Sequence, residues 1–463
     1  MDQRVLGTET EYGIFSPADP GADAIRMSTD AVETYGRTYR GGLPPVAWDY
    51  RGEDPLNDVR GMRLERSSVD PSMLTDDPYH LAPSGGEERL PRPSEEERRL
   101  LRPSSIVLPN GGRFYVDHAH PEYSSPETKN AKDGVLWDRA GDEIACRVMA
   151  LREEEGEYPL VFVKNNVDGK GASYGSHENY QVPRGVELDH LIRFSIPFLV
   201  TRPVICGSGR VGVGQPGFQI SQRADYVEND IGLETTFNRP IFNTRDEPHA
   251  RHHDWRRVHV IGGDANLFDA STFLRLGTTE LVFWALQQDP GLAWDSLDID
   301  NPVEAVKEVS QDPTLKRAIR MRSGEEWTAL DLQKRYLDLV TDALDETGYV
   351  PSPEQREVLD LWDSVLTRMT RDVSEVAAEV EWVAKHALLS RMRERLGVSW
   401  DDPRLAAFDL QWGDLRPDKS LVSALDRAGA VKRFFTPEQV SWAADHPPTD
   451  TRAALRGNAV AGR

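Results

Sequence analysis

The chain has 463 residues, a formal charge of −22 at neutral pH, and aliphatic, aromatic and charged residues in globular proportions. That length exceeds one ordinary core and predicts one large domain plus a smaller one. The charge argues against a generic nucleic-acid binder, whose phosphate contacts draw on surplus Lys and Arg. The two cysteines, Cys146 and Cys206, lie far apart and make no metal-ligand spacing, which points to a reduced cytosolic protein. The N-terminal "MDQRVLGTETEYGIF" lacks the basic start and apolar run of a signal peptide. No stretch approaches the roughly 20 apolar residues of a membrane span. A soluble, cytoplasmic protein is expected, with neither nucleic acid nor membrane as partner.

Residues 4–15 read as a strand, with Gly7, Glu9, Glu11 and Gly13 on one face and Leu6, Thr8, Thr10 and Tyr12 on the other. From 38 to 102 the text turns rich in Pro, Gly, Asp, Glu and Arg, as in a long mobile insertion. "SIVLPNGGRFYVDHAH" resumes the core, with "NGG" as a tight turn between two strands. "KDGVLWDRAGDEIACRVMALREE" predicts a helix. "YPLVFVKNN", "HLIRFSIPFLVTRPVI", "GFQISQRADYVEN", "RPIFNTRDE" and "WRRVHVIGGDAN" predict further strands. After residue 270 helices take over. Val358, Trp362, Val365 and Met369 recur at helical spacing in 353–371, as do Val376, Val380, Val383 and Ala387 in 373–396, where Gly397 is a natural C-cap. These stripes are packing faces. Residues from about 400 onward fit a small terminal domain.

The chemistry concentrates in "FYVDHAHPEY" (114–123), where an aspartate and two histidines end an otherwise buried strand. Alternation puts Arg113, Tyr115 and Asp117 on one face and Phe114 and Val116 on the other. A polar face of that kind suits a sheet lining a wet cavity. If it meets the face carrying Glu9 and Glu11, three carboxylates converge, and Glu122 makes four. Like charges so close repel unless cations sit among them. Clustered oxygen ligands are what Mg²⁺ sites use, commonly with substrate phosphates completing the shell.

Two glycine-rich runs mislead. "VDGKGASYGSHENY" (167–180) lacks the Walker spacing, and "GSGRVG" (207–212) is followed by Pro216 and Gly217 instead of a helix, so it reads as a turn between strands. Arg223 and Arg245, in strand-like surroundings, each need an anion, either a nucleotide phosphate or a structural carboxylate. His259, in an apolar strand, is either a satisfied core residue or a ligand. The basic run "HARHHDWRR" (249–257) fits a solvated loop and equally a contact with an acidic partner or a nucleotide.

Taken together, "GTETEYGIF", "RFYVDHAHPEYSSPE", "KNNVDGKGASYGSHENY", "GSGRVG", "FQISQRADY", "NTRDEPH", "HVIGGDAN", "EWVAKHALL" and "PPTDTRAALRG" resemble the Pup ligase/deamidase family, relatives of glutamine synthetase and carboxylate–amine ligases. The likeness runs from residue 4 to about 458. It implies an α+β fold: a glutamine-synthetase-like large domain over 1–395, with a curved, mostly antiparallel sheet cradle packed by helices, and a small C-terminal domain over 396–463. "GTETEYGI", "YVDHAHPEY" and above all the insertion 38–102 resemble the hydrolytic branch of the family, since the ligases lack that loop. The implied activity is deamidation of the C-terminal Gln of the ubiquitin-like protein Pup and cleavage of the Pup–lysine isopeptide bond, with ATP and Mg²⁺ as cofactors and Pup and pupylated proteins as partners. An ATP-consuming Pup ligase and a non-catalytic Pup-binding adaptor are the alternatives.

Carried over residue by residue, the resemblance implies that Glu9, Tyr115 and Glu122 hold one Mg²⁺ and that Glu11, His177 and His259 hold a second. Arg113, Arg223 and Arg245 would hold ATP phosphates, with Ser125 and Trp412 near the nucleotide. Asp117 would be the catalytic carboxylate, attacking the amide carbon directly or taking a proton from water.

Overall fold

The computed structural model describes residues 4–39, 42–46, 54–69, 73, 104–169, 171–212, 217–247, 249, 251–288 and 294–462. Much of the insertion expected over 38–102 therefore lies outside the described residues.

The first strands are β1 (Leu6–Glu11), β2 (Gly13–Phe15), β3 (Ser105–Val107), β4 (Arg113–Asp117), β5 (His120–Ser124), β6 (Val161–Val163) and β7 (Ser176–Pro183). After them come β8 (Arg210–Val211), β9 (Phe218–Gln219), β10 (Asn229–Gly232), β11 (Pro240–Asn243) and β12 (Trp255–Val260). The main sheet has six strands in the order β12-β7-β1-β5-β4-β3, every neighbour antiparallel. The strand expected over 4–15 is divided at Tyr12: β1 belongs to the main sheet, whereas β2 turns away to pair with β6. The expected turn before β4 is present, with Gly111 at φ +81°, a left-handed conformation that suits glycine. β8 and β9 pair antiparallel around 212–217, so "GSGRVG" leads into a strand turn as its sequence suggests.

Helices cover one face of the sheet. Helices α1 (Ala24–Thr38) and α2 (Ala131–Glu154) pack Val32, Tyr35, Trp137, Ala140 and Ile144 against Tyr12, Phe114, Val116 and Tyr123. Leu6, Tyr180, Val182, Val258 and Val260 join a larger core with α3 (Leu188–Thr201) and the helix Asp269–Gln288. The α+β class and the helix-packed antiparallel sheet are as expected.

Some expectations fail locally. Of "GFQISQRADYVEN" only Phe218–Gln219 and Asn229 lie in strands, with a 3₁₀ turn over Ala224–Tyr226 between them. "HLIRFSIPFLVTRPVI" is helical, not extended: α3 is capped by Glu187, whose carboxylate accepts from the Asp189 and His190 amides. Its run is apolar all round because it is buried nearly all round, and such a run has no period to separate helix from strand. The helix expected over 373–396 is broken into a 3₁₀ turn, Val373–Val376, and a helix, Glu381–Leu396, which ends at Gly397 in the left-handed conformation. The break lets the Glu381 carboxylate accept from the Leu267 and Phe268 amides.

The described part of the insertion docks on the chain just after β11. The Val59 amide donates to the Thr244 carbonyl at 2.8 Å, Asp246 N–H to the Asn57 carbonyl at 2.9 Å, and Asp54 N–H to the Glu247 carboxylate at 3.0 Å.

Candidate active site

β1 runs between β5 and β7, and its register does the assembling. Glu9 pairs with His177 on one side and Ser124 on the other, and Glu11 with Glu122. Glu122 in turn faces Tyr115, Asp117 faces His120, and Asn179 faces His259. In-register partners share a face. The side of the sheet opposite α1 and α2 therefore collects Glu9, Glu11, Glu122, Tyr115, Asp117, His177, Asn179 and His259. Their ligand-capable atoms form two groups, Glu9–His177–His259 and Glu11–Asp117–Glu122, each with donor atoms within 4.8 Å of one another. Five of the six metal ligands implied by sequence are in these groups. Asp117 joins the second group, and Tyr115 stands beside it, donating its hydroxyl to Glu122 at 2.5 Å.

Hydrogen bonds fix the carboxylates. Glu9 accepts from Asn179 Nδ2 at 3.0 Å and lies 3.4 Å from His177 Nδ1. Asn179 Oδ1 takes Arg257 Nη1 and sits 2.8 Å from His259 Nδ1. Glu11 accepts the Gly175 amide at 3.0 Å and faces His120 Nδ1 at 3.3 Å. Asp117 ends β4 at the two-residue turn His118–Ala119, where His118 takes φ +51°, as such hairpins require. His118 Nδ1 lies 3.1 Å from its carboxylate.

The charges divide unequally. Burial pushes Glu9, Glu11 and Asp117 up, but hydrogen bonds and nearby basic side chains outweigh it: His177 and Arg257 for Glu9, His120 for Glu11, and His118 and Arg113 for Asp117, which is lowered to about 2. Glu122 goes the other way. Burial, reinforced by Asp117, Glu9 and Glu11, holds its carboxyl well above the usual range. Burial likewise keeps His259 neutral, with Arg257 adding to the effect.

An arginine wall adjoins the carboxylates. Arg223 is 3% exposed, yet it donates only to neutral groups, the Ser173 hydroxyl and the Tyr174 and Ile261 carbonyls. Burial and the nearby Arg239 lower it to about 10. Arg239 donates to the Thr235 and Ser173 carbonyls and is lowered by burial too. A buried and a half-buried guanidinium with no carboxylate within ion-pair distance among the described residues make a seat for an anion. Arg245 lies 3.8 Å from Glu247, which also faces Arg257 at 3.7 Å. Arg113 donates to Ser105 and lies over the Tyr115 ring at 3.8 Å.

Ser125, just past β5, accepts the Thr8 amide at 2.9 Å. Trp412 is placed differently from the rest. It is buried against Phe268 and donates its indole N–H to Glu381 at 2.9 Å. Sequence reasoning missed Asn179, Arg257 and Arg239. For the first two a signal existed: Asn179 is two residues from His177, and Arg257 two from His259, so alternation gives each its neighbour's face. Arg239 carries no such mark.

The donor set suits divalent cations. Glu11, Asp117 and Glu122 offer oxygens alone, the preference of Mg²⁺, and the repulsion on Glu122 is what a cation would relieve.

The chain and its fold have known relatives. The model of the Pup-ligase protein family matches residues 4–462. The Pup deamidase/depupylase of Mycolicibacterium smegmatis is 45% identical over 468 residues, spanning 99% of this chain and 88% of that protein. A Pup–protein ligase of Corynebacterium glutamicum is 39% identical over 407 residues, 82% of this chain and 84% of the relative. Among solved structures, the complex between Pup and its ligase PafA aligns with a TM-score of 0.76 at 32% identity, over 99% of this chain and 83% of that one. PafA in complex with ADP aligns with a TM-score of 0.70 at 36% identity, over 86% and 89%. The chain belongs to the Pup-ligase protein family.

Proposed function

We propose that the protein is an ATP- and Mg²⁺-dependent amidohydrolase that deamidates the C-terminal Gln of Pup and cleaves the Pup–lysine isopeptide bond. One observation carries this best: the two carboxylate-bearing triads share a sheet face with Asp117 at its lip, beside Arg223 and Arg239, which have no carboxylate within ion-pair distance among the described residues. Hydrolysis over ligation is favoured by the relatives, since the deamidase/depupylase match spans 99% of the chain and the ligase match 82%.

Glu11 and Glu122, with the Tyr115 hydroxyl beside Glu122, would hold one Mg²⁺, and Glu9, His177 and His259 a second. Arg113, Arg223 and Arg245, joined by Arg239, would take the nucleotide phosphates, with Ser125 and Trp412 supporting the nucleotide's surroundings. When bound, the cations supply charge stabilisation for the oxyanion that develops on the amide carbonyl.

Asp117 is the catalytic group. Asp117 is ionised at neutral pH, and it either attacks the amide carbon or takes a proton from water. In direct attack an Asp117 oxygen bonds to the amide carbon, the C–N bond breaks, and the amine leaves with a proton from solvent. Water then opens the resulting anhydride, restoring the Asp117 carboxylate and leaving glutamate on Pup. Nothing in this sequence spends the nucleotide's phosphoanhydride, so the nucleotide is a bound cofactor that organises the site.

Asp117→Asn should keep Pup and ATP binding and lose isopeptide cleavage by roughly 10³-fold or more. Cleavage at the wild-type rate would remove Asp117 from the mechanism.

A further inference from the structure

The hairpin that carries Arg113, Tyr115 and Asp117 is gripped at its open end by the last helix of the chain, Ala453–Val460. The two backbones approach so closely that each side uses a glycine. A Cβ on Gly111 would lie 2.7 Å from the Ala453 carbonyl oxygen, and one on Gly457 would overlap the Pro109 carbonyl and sit 3.0 Å from the Gly111 nitrogen. Arg456 closes the contact. Its Nε donates to the Gly111 carbonyl at 2.7 Å, and its Nη2 to Glu127 at 2.6 Å. Gly111 lies two residues before Arg113, and Glu127 three residues after the end of β5. One guanidinium thus ties the entrance of β4 to the exit of β5. Lys129, 3.4 Å from Asp450, adds a second tie between the same segments.

The grip matters because β4 has little on its other flank. Its outer neighbour β3 is a three-residue edge strand. Inside the turn, Asn110 accepts the Gly112 amide and donates to the Tyr123 hydroxyl, so the turn is already coupled to β5.

Resting on the roles proposed above for Arg113 and Asp117, we propose that Arg456 is a positioning residue: through Gly111 and Glu127 it sets the β4–β5 hairpin so that Arg113 meets the nucleotide phosphates and Asp117 faces the scissile amide. It touches neither substrate nor cofactor.

The test compares Arg456→Ala, Arg456→Lys and Gly457→Ala in the full chain, with Trp442→Ala as a control for packing. Trp442 belongs to the same C-terminal segment and stacks edge-on with Trp137, away from the turn. Three quantities are read: the Kd of a fluorescent ATP analogue, kcat for a pupylated protein at saturating ATP, and Tm. Arg456→Ala should weaken nucleotide binding roughly tenfold and lower kcat, in line with losing hydrogen bonds from a charged group. Arg456→Lys, which can still reach Glu127, should recover part of both. Gly457→Ala should copy Arg456→Ala by pushing the helix off the turn. Trp442→Ala should lower Tm and leave Kd unchanged. Kd and kcat within twofold of wild type in Arg456→Ala would overturn the assignment, whatever its Tm. A Trp442→Ala variant that reproduces the change in Kd at equal loss of Tm would overturn it as well. A wild-type protein that neither binds the nucleotide nor cleaves conjugates contradicts the proposed function itself, whereas a fully active wild type beside an unchanged Arg456→Ala contradicts only the role of Arg456.

Discussion

Glu122 holds a proton that its neighbours cannot. Burial and the charges of Asp117, Glu9 and Glu11 keep its carboxyl above the usual range, so in the metal-free protein it stays protonated as pH rises past the point where those three have ionised. A cation favours the carboxylate, so binding must expel the proton, while His259, already neutral, has none to give. Mg²⁺ affinity should therefore climb with pH, by about tenfold per unit while Glu122 remains protonated. Calorimetric titration in two buffers of different ionisation heat should show proton release as the ion at Glu122 binds; identical heats in both buffers would contradict the assignment. At this scale the sequence was informative wherever alternation applied. Glu9 and Glu11 could be placed on one face of their strand, and Tyr115 and Asp117 on one face of theirs, from spacing alone. The depth of burial that splits Glu122 from the other three depends on the helices behind the sheet, which no local pattern records.

Among the elements, β1 has the most to hold in place. Its site face carries Glu9 and Glu11, and its other face is anchored by a buried network. Lys164 Nζ donates to Asp138 at 2.7 Å and Asp142 at 3.0 Å, Tyr12 donates to Asp142 at 2.9 Å, and Thr10 to Asp138 at 3.4 Å. Lys164 and Asp138 are each 1% exposed. Removing one partner of a buried ion pair leaves an uncompensated charge. Lys164→Met should cost about 3–5 kcal/mol of stability by urea unfolding; a loss below 1 kcal/mol would mean the two aspartates find other partners. The misread element, α3, shows the limit of periodicity. Its continuous apolar run matches a buried strand as well as a buried helix, and what settles the matter, the Glu187 cap and packing on all sides, is tertiary. The segment 373–396 teaches the same lesson in reverse. Its stripe continues across a break that exists to bring Glu381 to the 267–268 amides.

For the whole molecule, the net charge of −22 sits beside a concentrated cationic wall of Arg223, Arg239, Arg245 and Arg257. Composition reports only the sum, so it argues against a generic nucleic-acid binder without locating an anion seat. No helix among the described residues is long and apolar enough to cross a membrane. The described part of the insertion reaches Glu247, which faces both Arg245 and Arg257. That link was invisible in the sequence because it joins residues nearly two hundred positions apart. The acidic cradle and the cationic wall together define the central claim, hydrolysis at a nucleotide-organised site. The most direct measurement incubates a pupylated protein with this enzyme, Mg²⁺ and ATP, and follows free substrate and ADP together. Free substrate accumulating through many turnovers, with far less than one ADP per bond cleaved, is the predicted result. New conjugate formed with one ADP each, or no release of substrate at all, would contradict it.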